Sequence, residues 1–146
     1  MTIKVSILGI GKMGKNHLRV LSMLKGVVVT KIFDVNEDEL KSLSEQYGVP
    51  YTLDAEEALE GADAAIIVTP TSTHFGYYKL CIGKLNNVFV EKPLAESYAE
   101  AQEIKVLAND NCMFIQCGFI ERFNPVVVEL KEILKTTKVI NADFFR

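Results

Sequence analysis

Three observations predict that this sequence folds as an α/β domain built on a doubly wound parallel sheet. Short apolar runs rich in Val and Ile alternate with segments of helical period along most of the 146 residues. The connections between them are short. Several runs, such as Ala64-Ala65-Ile66-Ile67-Val68, show little polar alternation, which marks strands buried on both faces by helices. Right-handed crossovers then wind the helices onto the two faces of one sheet.

The first strand is Ile3-Lys4-Val5-Ser6-Ile7-Leu8. It runs into Gly9-Ile10-Gly11-Lys12-Met13-Gly14, and a helix is expected over Asn16 to Lys25. Val27 to Phe33 is the second buried strand, closing on Asp34. Asn36-Glu37-Asp38-Glu39 opens a helix with acids in its first turn, Leu40 and Leu43 give it an apolar stripe, and Gly48 ends it. Val49-Pro50-Tyr51-Thr52 holds a proline and makes at best a brief edge strand. Asp54 caps the next helix, Glu57 completes a capping-box-like arrangement, and Gly61 stops it.

The same rhythm continues. The strand Ala64 to Val68 ends in the turn Thr69-Pro70-Thr71-Ser72-Thr73-His74, and helix follows to Leu85. Asn86-Asn87 turns into the strand Val88-Phe89-Val90, which ends in Glu91-Lys92-Pro93. Ser97 caps a helix through Leu107, and Asn109-Asp110-Asn111 leads to the strand Cys112 to Cys117. Asn124 and Pro125 open a last helix with Val128, Leu130, Ile133 and Leu134 on its stripe, and Val139 to Phe145 reads as a strand.

Composition excludes several classes of function. Hydrophobic residues at 49% and charged residues at 24% are those of a globular domain with a real core. The net charge of −3, with Lys and Arg scattered among acids, gives no footprint for nucleic acid. No apolar run is long enough to span a bilayer and the N-terminus enters a strand directly, so a cytoplasmic location is expected. Cys81, Cys112 and Cys117 are odd in number and form no CxxC pair, which argues against a metal site or a disulfide framework. Buried reduced thiols are the default, with Cys117 placed near a strand end that faces the site.

The chemistry sits where strands end. Gly9 permits a tight turn off the first strand, Gly11 lets backbone approach a pyrophosphate, and Gly14 lets the helix pack closely, which together make the dinucleotide fingerprint of a Rossmann fold. The pyrophosphate would lie on the helix N-terminus, where free N–H groups and the dipole favour an anion. Asp34, twenty residues after Gly14, can accept both hydroxyls of an adenosine ribose and would repel a 2′-phosphate, so NAD is expected over NADP.

Thr69 to His74 offers hydroxyls beside the expected cofactor, although a plain helix cap would use the same residue types. Lys92 follows an apolar strand, where a lysine that has partly lost solvent can exchange a proton with a substrate hydroxyl; the plainer reading pairs it with Glu91 at the surface. His17 reads as a partly buried histidine bonded to backbone. Arg122 has two readings, an anion at the cleft or an ion pair with Glu121.

Gly9 to Gly14 with His17, Thr69-Pro70-Thr71 with His74, Glu91-Lys92-Pro93, and Arg122-Phe123-Asn124-Pro125, in that order, resemble the N-terminal half of the Gfo/Idh/MocA oxidoreductases. The resemblance implies NAD(P)-dependent oxidation or reduction at a sugar or cyclitol carbon. It implies that Lys92 contacts the substrate hydroxyl and the nicotinamide. The cofactor would be held by Gly9, Ile10, Gly11, Lys12, Met13, Gly14, Asp34, Thr69, Pro70, Thr71, His74 and Glu91. The stretch Gly118 to Pro125 is most similar to the branch acting on UDP-N-acetylhexosamines, the 3-dehydrogenases.

Members of that family continue into a second, mostly antiparallel α+β domain that selects the substrate. The expected division is therefore a dinucleotide-binding domain over residues 1–122, then over 123–146 a connecting helix and the first strand of a C-terminal domain otherwise missing. On that reading the chain is truncated, binds cofactor and turns over poorly alone. The strand Val139 to Phe145 would be an orphan edge that invites pairing with another copy. A non-catalytic nucleotide-binding or sensing module is the alternative, since it needs the glycine loop and Asp34 but not Lys92.

Overall fold

The computed structural model describes residues 2–138 together with Asn141 and Asp143. The expected strand Val139 to Phe145 falls largely outside the described residues. Strands β1 (Ile3–Leu8), β2 (Val27–Phe33), β3 (Tyr51–Thr52), β4 (Ala64–Ile67), β5 (Asn87–Val90) and β6 (Phe114–Cys117) form one sheet. Helices α1 (Lys12–Ser22), α2 (Glu37–Tyr47), α3 (Ala55–Ala58), α4 (Thr71–Cys81) and α5 (Tyr98–Asp110) connect them, and α6 (Pro125–Leu134) follows a 3-10 turn at Ile120–Phe123.

The strand order is β3-β2-β1-β4-β5-β6 and every pairing is parallel. The chain thus winds outward from β1 in one direction, returns to the centre, and winds outward in the other. That is the doubly wound Rossmann order, with its switch point between β1 and β4. The register there, Leu8 opposite Ile67, brings Gly9 beside Val68 and Thr69.

Two cores follow from the winding. Ile7, Ile10, Val29 and Ile32 pack with Leu18 of α1 and with Leu40 and Leu43 of α2. Leu8, Ala65, Ile67, Val88 and Val90 pack on the other face against Ala58, Tyr78, Cys81 and Ile104 of α3, α4 and α5. Alternate residues of β4 serve opposite faces, which is why Ala64 to Ile67 carries no polar alternation, while β1 alternates through Lys4 and Ser6 and becomes wholly apolar at Ile7 and Leu8.

Some boundaries differ from expectation for local reasons. Helix α1 starts at Lys12 and not Asn16, because Gly11 is its N-cap. It ends at Ser22, where Met23 and Leu24 make tight turns and Gly26 takes φ +79°. Helix α4 starts at Thr71, with Pro70 at φ −56° as its N-cap, so Thr71 to His74 form a helical turn and not a loop. It stops at Cys81, and Gly83 at φ +75° turns the chain. Strand β6 begins only at Phe114, because Cys112 holds a left-handed backbone at φ 52°.

Caps formed largely as the residue types required. Asn36 accepts from Glu39 N–H, and Gly48 ends α2 in the left-handed region. Ser97 and Glu100 make a full capping box on α5. Asp54 caps α3 through the N–H groups of Glu56 and Glu57, but the Glu57 side chain does not return to it. Glu57 instead takes the Thr52 hydroxyl and the Lys31 ammonium, the latter at 2.9 Å, and these two hold its carboxyl below the usual range.

Candidate cofactor site

Each fingerprint glycine meets a different constraint. Gly9 has φ +98°, and a Cβ there would lie 2.8 Å from the backbone of Val68 and Thr69, so only glycine lets the ends of β1 and β4 approach. A Cβ on Gly14 would lie 2.0 Å from the Gly9 carbonyl oxygen, so α1 packs directly on the loop. Gly11 is the contrast. Its φ is −63°, and a Cβ would meet nothing within 4 Å. Its bare backbone borders open space at the N-terminus of an eleven-residue helix that no side chain caps. First-turn N–H groups left this way suit a pyrophosphate.

Asp34 stands just beyond β2 and is tied to the glycine loop. One carboxylate oxygen accepts the Ile10 N–H at 2.6 Å and the other accepts the Asn36 N–H at 3.1 Å. Each oxygen keeps a further lone pair, enough for the two hydroxyls of a ribose. A cavity of about 490 Å³ opens here, lined by Gly9, Gly11, Asp34, Thr69 and Pro70 among the expected residues. Phe33, Val35, Val68, Thr73 and Tyr77 complete its wall. The residues present therefore fit an NAD molecule, with polar donors at the glycine loop and an apolar wall beside Asp34.

The other expected residues occupy different places. Ile10 is buried in the core and reaches the site through its N–H alone. Lys12 and Met13 are exposed in the first turn of α1, and Thr71 is half-buried in that of α4. His74 is buried, with Nε2 2.8 Å from the Thr69 carbonyl oxygen and Nδ1 3.0 Å from that of Pro93, so it bridges the ends of β4 and β5. Glu91 is also buried, and its carboxylate faces His17 of α1 at 3.2 Å.

Lys92 is exposed, against the expectation that the strand end would strip it of solvent. Its backbone N–H donates to Glu91 at 2.9 Å, and among the described residues its ammonium makes no hydrogen bond or ion pair, so the surface pairing with Glu91 does not form. The Lys92-Pro93 peptide is cis. His17 has a carboxylate for a partner and not backbone, and stands edge-on to Phe89 at 5.2 Å. The Arg122 guanidinium lies over the Phe119 ring at 5.6 Å. Burial pushes the Cys117 thiol above its ordinary value and that of Cys81 up to about 12, so neither is an activated nucleophile.

Sequence reasoning missed the apolar wall, whereas Thr73 belongs to the stretch Thr69 to His74 expected beside the cofactor. Val35 lies one position past the acid and Tyr77 on α4, and the helix start at Thr71 was the signal that would have placed Tyr77.

Comparison with known proteins gives the family and the fold. A family model described as an oxidoreductase family with an NAD-binding Rossmann fold, Gfo/Idh/MocA, matches residues 3–119. The chain is 29% identical over 126 residues to a 4-carboxy-2-hydroxymuconate-6-semialdehyde dehydrogenase of Sphingobium, covering 84% of this chain and 40% of that protein. It is 33% identical over 137 residues to inositol 2-dehydrogenase 2 of Mycolicibacterium vanbaalenii, covering 90% and 40%. The crystal structure of a myo-inositol dehydrogenase from Lactobacillus casei in complex with NAD(H) and myo-inositol superposes with a TM-score of 0.86 at 26% identity, covering 93% of this chain and 42% of that one. The chain thus spans about 40% of the length of the curated relatives it matches.

Proposed function

Because the chain belongs to the Gfo/Idh/MocA oxidoreductases, whose NAD-binding Rossmann domain it contains, we propose that it is the cofactor-binding part of a dehydrogenase acting on a sugar-type carbon. The reaction would move a hydride between that carbon and nicotinamide. The observation that carries the reading is the join of Gly9, the bare Gly11 backbone and Asp34 around one cavity at the β1/β4 switch point.

When bound, NAD supplies the hydride acceptor. The chain's own residues do the rest. The N-terminus of α1 receives the pyrophosphate through backbone N–H groups, and Asp34 holds the adenosine ribose while its charge opposes a 2′-phosphate. Lys92 presents an ammonium that no described residue engages, able to hold a substrate hydroxyl and exchange its proton as that carbon is oxidised. Relatives named as inositol dehydrogenases support a cyclitol or sugar, and the Gly118 to Pro125 stretch supports a sugar nucleotide as the narrower substrate class.

Calorimetric titration of NAD and NADP into the chain and into Asp34→Asn tests the cofactor assignment. The wild-type chain should bind NAD more tightly than NADP. Asp34→Asn keeps an acceptor for the Ile10 N–H but loses the charge, so NAD should bind about tenfold more weakly and the gap to NADP should narrow. Equal effects on both cofactors would remove Asp34 from cofactor selection. In the complete enzyme, Lys92→Met should lower kcat without weakening NAD binding; an unchanged kcat would remove Lys92 from the mechanism.

A further inference from the structure

Glu91 is the only carboxylate among the described residues that is buried, at 7% exposure, and its surroundings leave it one place to sit. One oxygen faces His17 Nε2 at 3.2 Å, and the other accepts the Lys92 N–H at 2.9 Å. Its own N–H donates to Ile67 at 2.9 Å, which fixes its backbone to β4. On the remaining side Gly118 lies so close that a Cβ there would be 2.8 Å from the second oxygen. A buried acid with a lone side-chain partner depends on that partner, because losing it leaves one carboxylate oxygen unsatisfied and only the Lys92 N–H on the other.

That partner stands on the helix whose N-terminus would receive the pyrophosphate. His17 lies in the second turn of α1, and its ring is held edge-on against Phe89 of β5. The chain of contacts therefore runs from the cofactor helix through His17 and Glu91 to the backbone of Lys92. We propose that His17 is a positioning residue for Lys92, setting the place of the lysine relative to the bound cofactor. The inference rests on the reading above that Lys92 stands at the nicotinamide.

The position of Lys92 can be read without turnover. An ammonium close to the nicotinamide repels the cationic oxidised ring and not the neutral reduced one, so it raises the affinity for NADH relative to NAD+. Calorimetry with both forms on the chain, on Lys92→Met, on His17→Ala, on His17→Gln and on His17→Ala/Lys92→Met gives the comparison. Lys92→Met should lower the NADH to NAD+ affinity ratio by about tenfold. His17→Ala should lower it severalfold alone and add nothing once Lys92 is gone, the non-additivity of residues acting through one contact. His17→Gln, which keeps an N–H donor for Glu91, should restore most of the ratio.

A His17→Ala that weakens NADH and NAD+ equally, or an additive double variant, would overturn the positioning role while leaving Lys92 where it is. A Lys92→Met that leaves the ratio unchanged would overturn the placement of the lysine, and the tether with it. Thermal melts accompany each variant. Should His17→Ala fail to fold, His17→Met gives the same comparison at nearly the native volume.

Discussion

A methyl group on Gly14 would sit 2.0 Å from the Gly9 carbonyl oxygen, whereas one on Gly11 would touch nothing. The same substitution at the two positions should therefore separate folding from binding. Gly14→Ala is expected to cost more than about 3 kcal/mol in urea unfolding, since helix and loop cannot both stay in place. Gly11→Ala should change stability by less than about 0.5 kcal/mol, yet weaken NAD at least tenfold by filling the space a pyrophosphate needs. Comparable stability losses at both sites would sink this division. The three glycines and Asp34 were legible in the sequence because spacing alone fixes their places on a strand–turn–helix–strand unit. The tie between Asp34 and the Ile10 N–H was not, because it depends on the trajectory of a loop. Nor was the partner of His17, which lies 74 residues away.

At the scale of elements, caps decide where helices begin. Ser97→Ala removes one half of the reciprocal capping box on α5 and should destabilise the domain by about 1 kcal/mol, measured as a shift in the urea midpoint at constant slope. No shift would mean that packing of Ile104 alone holds that helix end. Residue types announced the caps at Asn36, Asp54, Ser97 and Asn124, all of which accept first-turn N–H groups. The starts of α1 and α4 were misread because Gly11 and Pro70 cap by backbone conformation, without a side-chain acceptor. Thiol chemistry follows the elements too. Cys112 is exposed at the turn before β6, whereas burial raises the thiols of Cys117 and Cys81. A raised value means less thiolate at a given pH, so iodoacetamide at neutral pH should label Cys112 first, with Cys117 following only as the pH climbs past the ordinary thiol range. Early labelling of Cys117 would contradict its burial.

Across the whole molecule, alternation of strands and helices made the parallel sheet legible, and right-handed crossovers limited its winding. Which strand neighbours β1 on its far side was less so, because β3 and β4 both follow helices. The structure places β4 there, and the site exists because of it. Helix α6 shows the opposite case. Its apolar stripe, including Leu130 and Ile133, was plain in the sequence, but both residues are exposed and the helix packs chiefly against the preceding 3-10 turn. Leu130→Gln should therefore leave the melting temperature of this chain nearly unchanged, a change of less than about 0.5 kcal/mol. A large drop would reveal a partner for that face. The switch point also bears on how the chain folds. One wall of the cofactor cavity, from Gly9 to Val35, comes from a contiguous unit that can form early through local contacts. The other, from Val68 to Tyr77, joins only when Val5 finds Ala64 across the intervening α1, β2, α2, β3 and α3. A dinucleotide that grips both walls acts on that late closure, so it slows unfolding more than it speeds the first collapse.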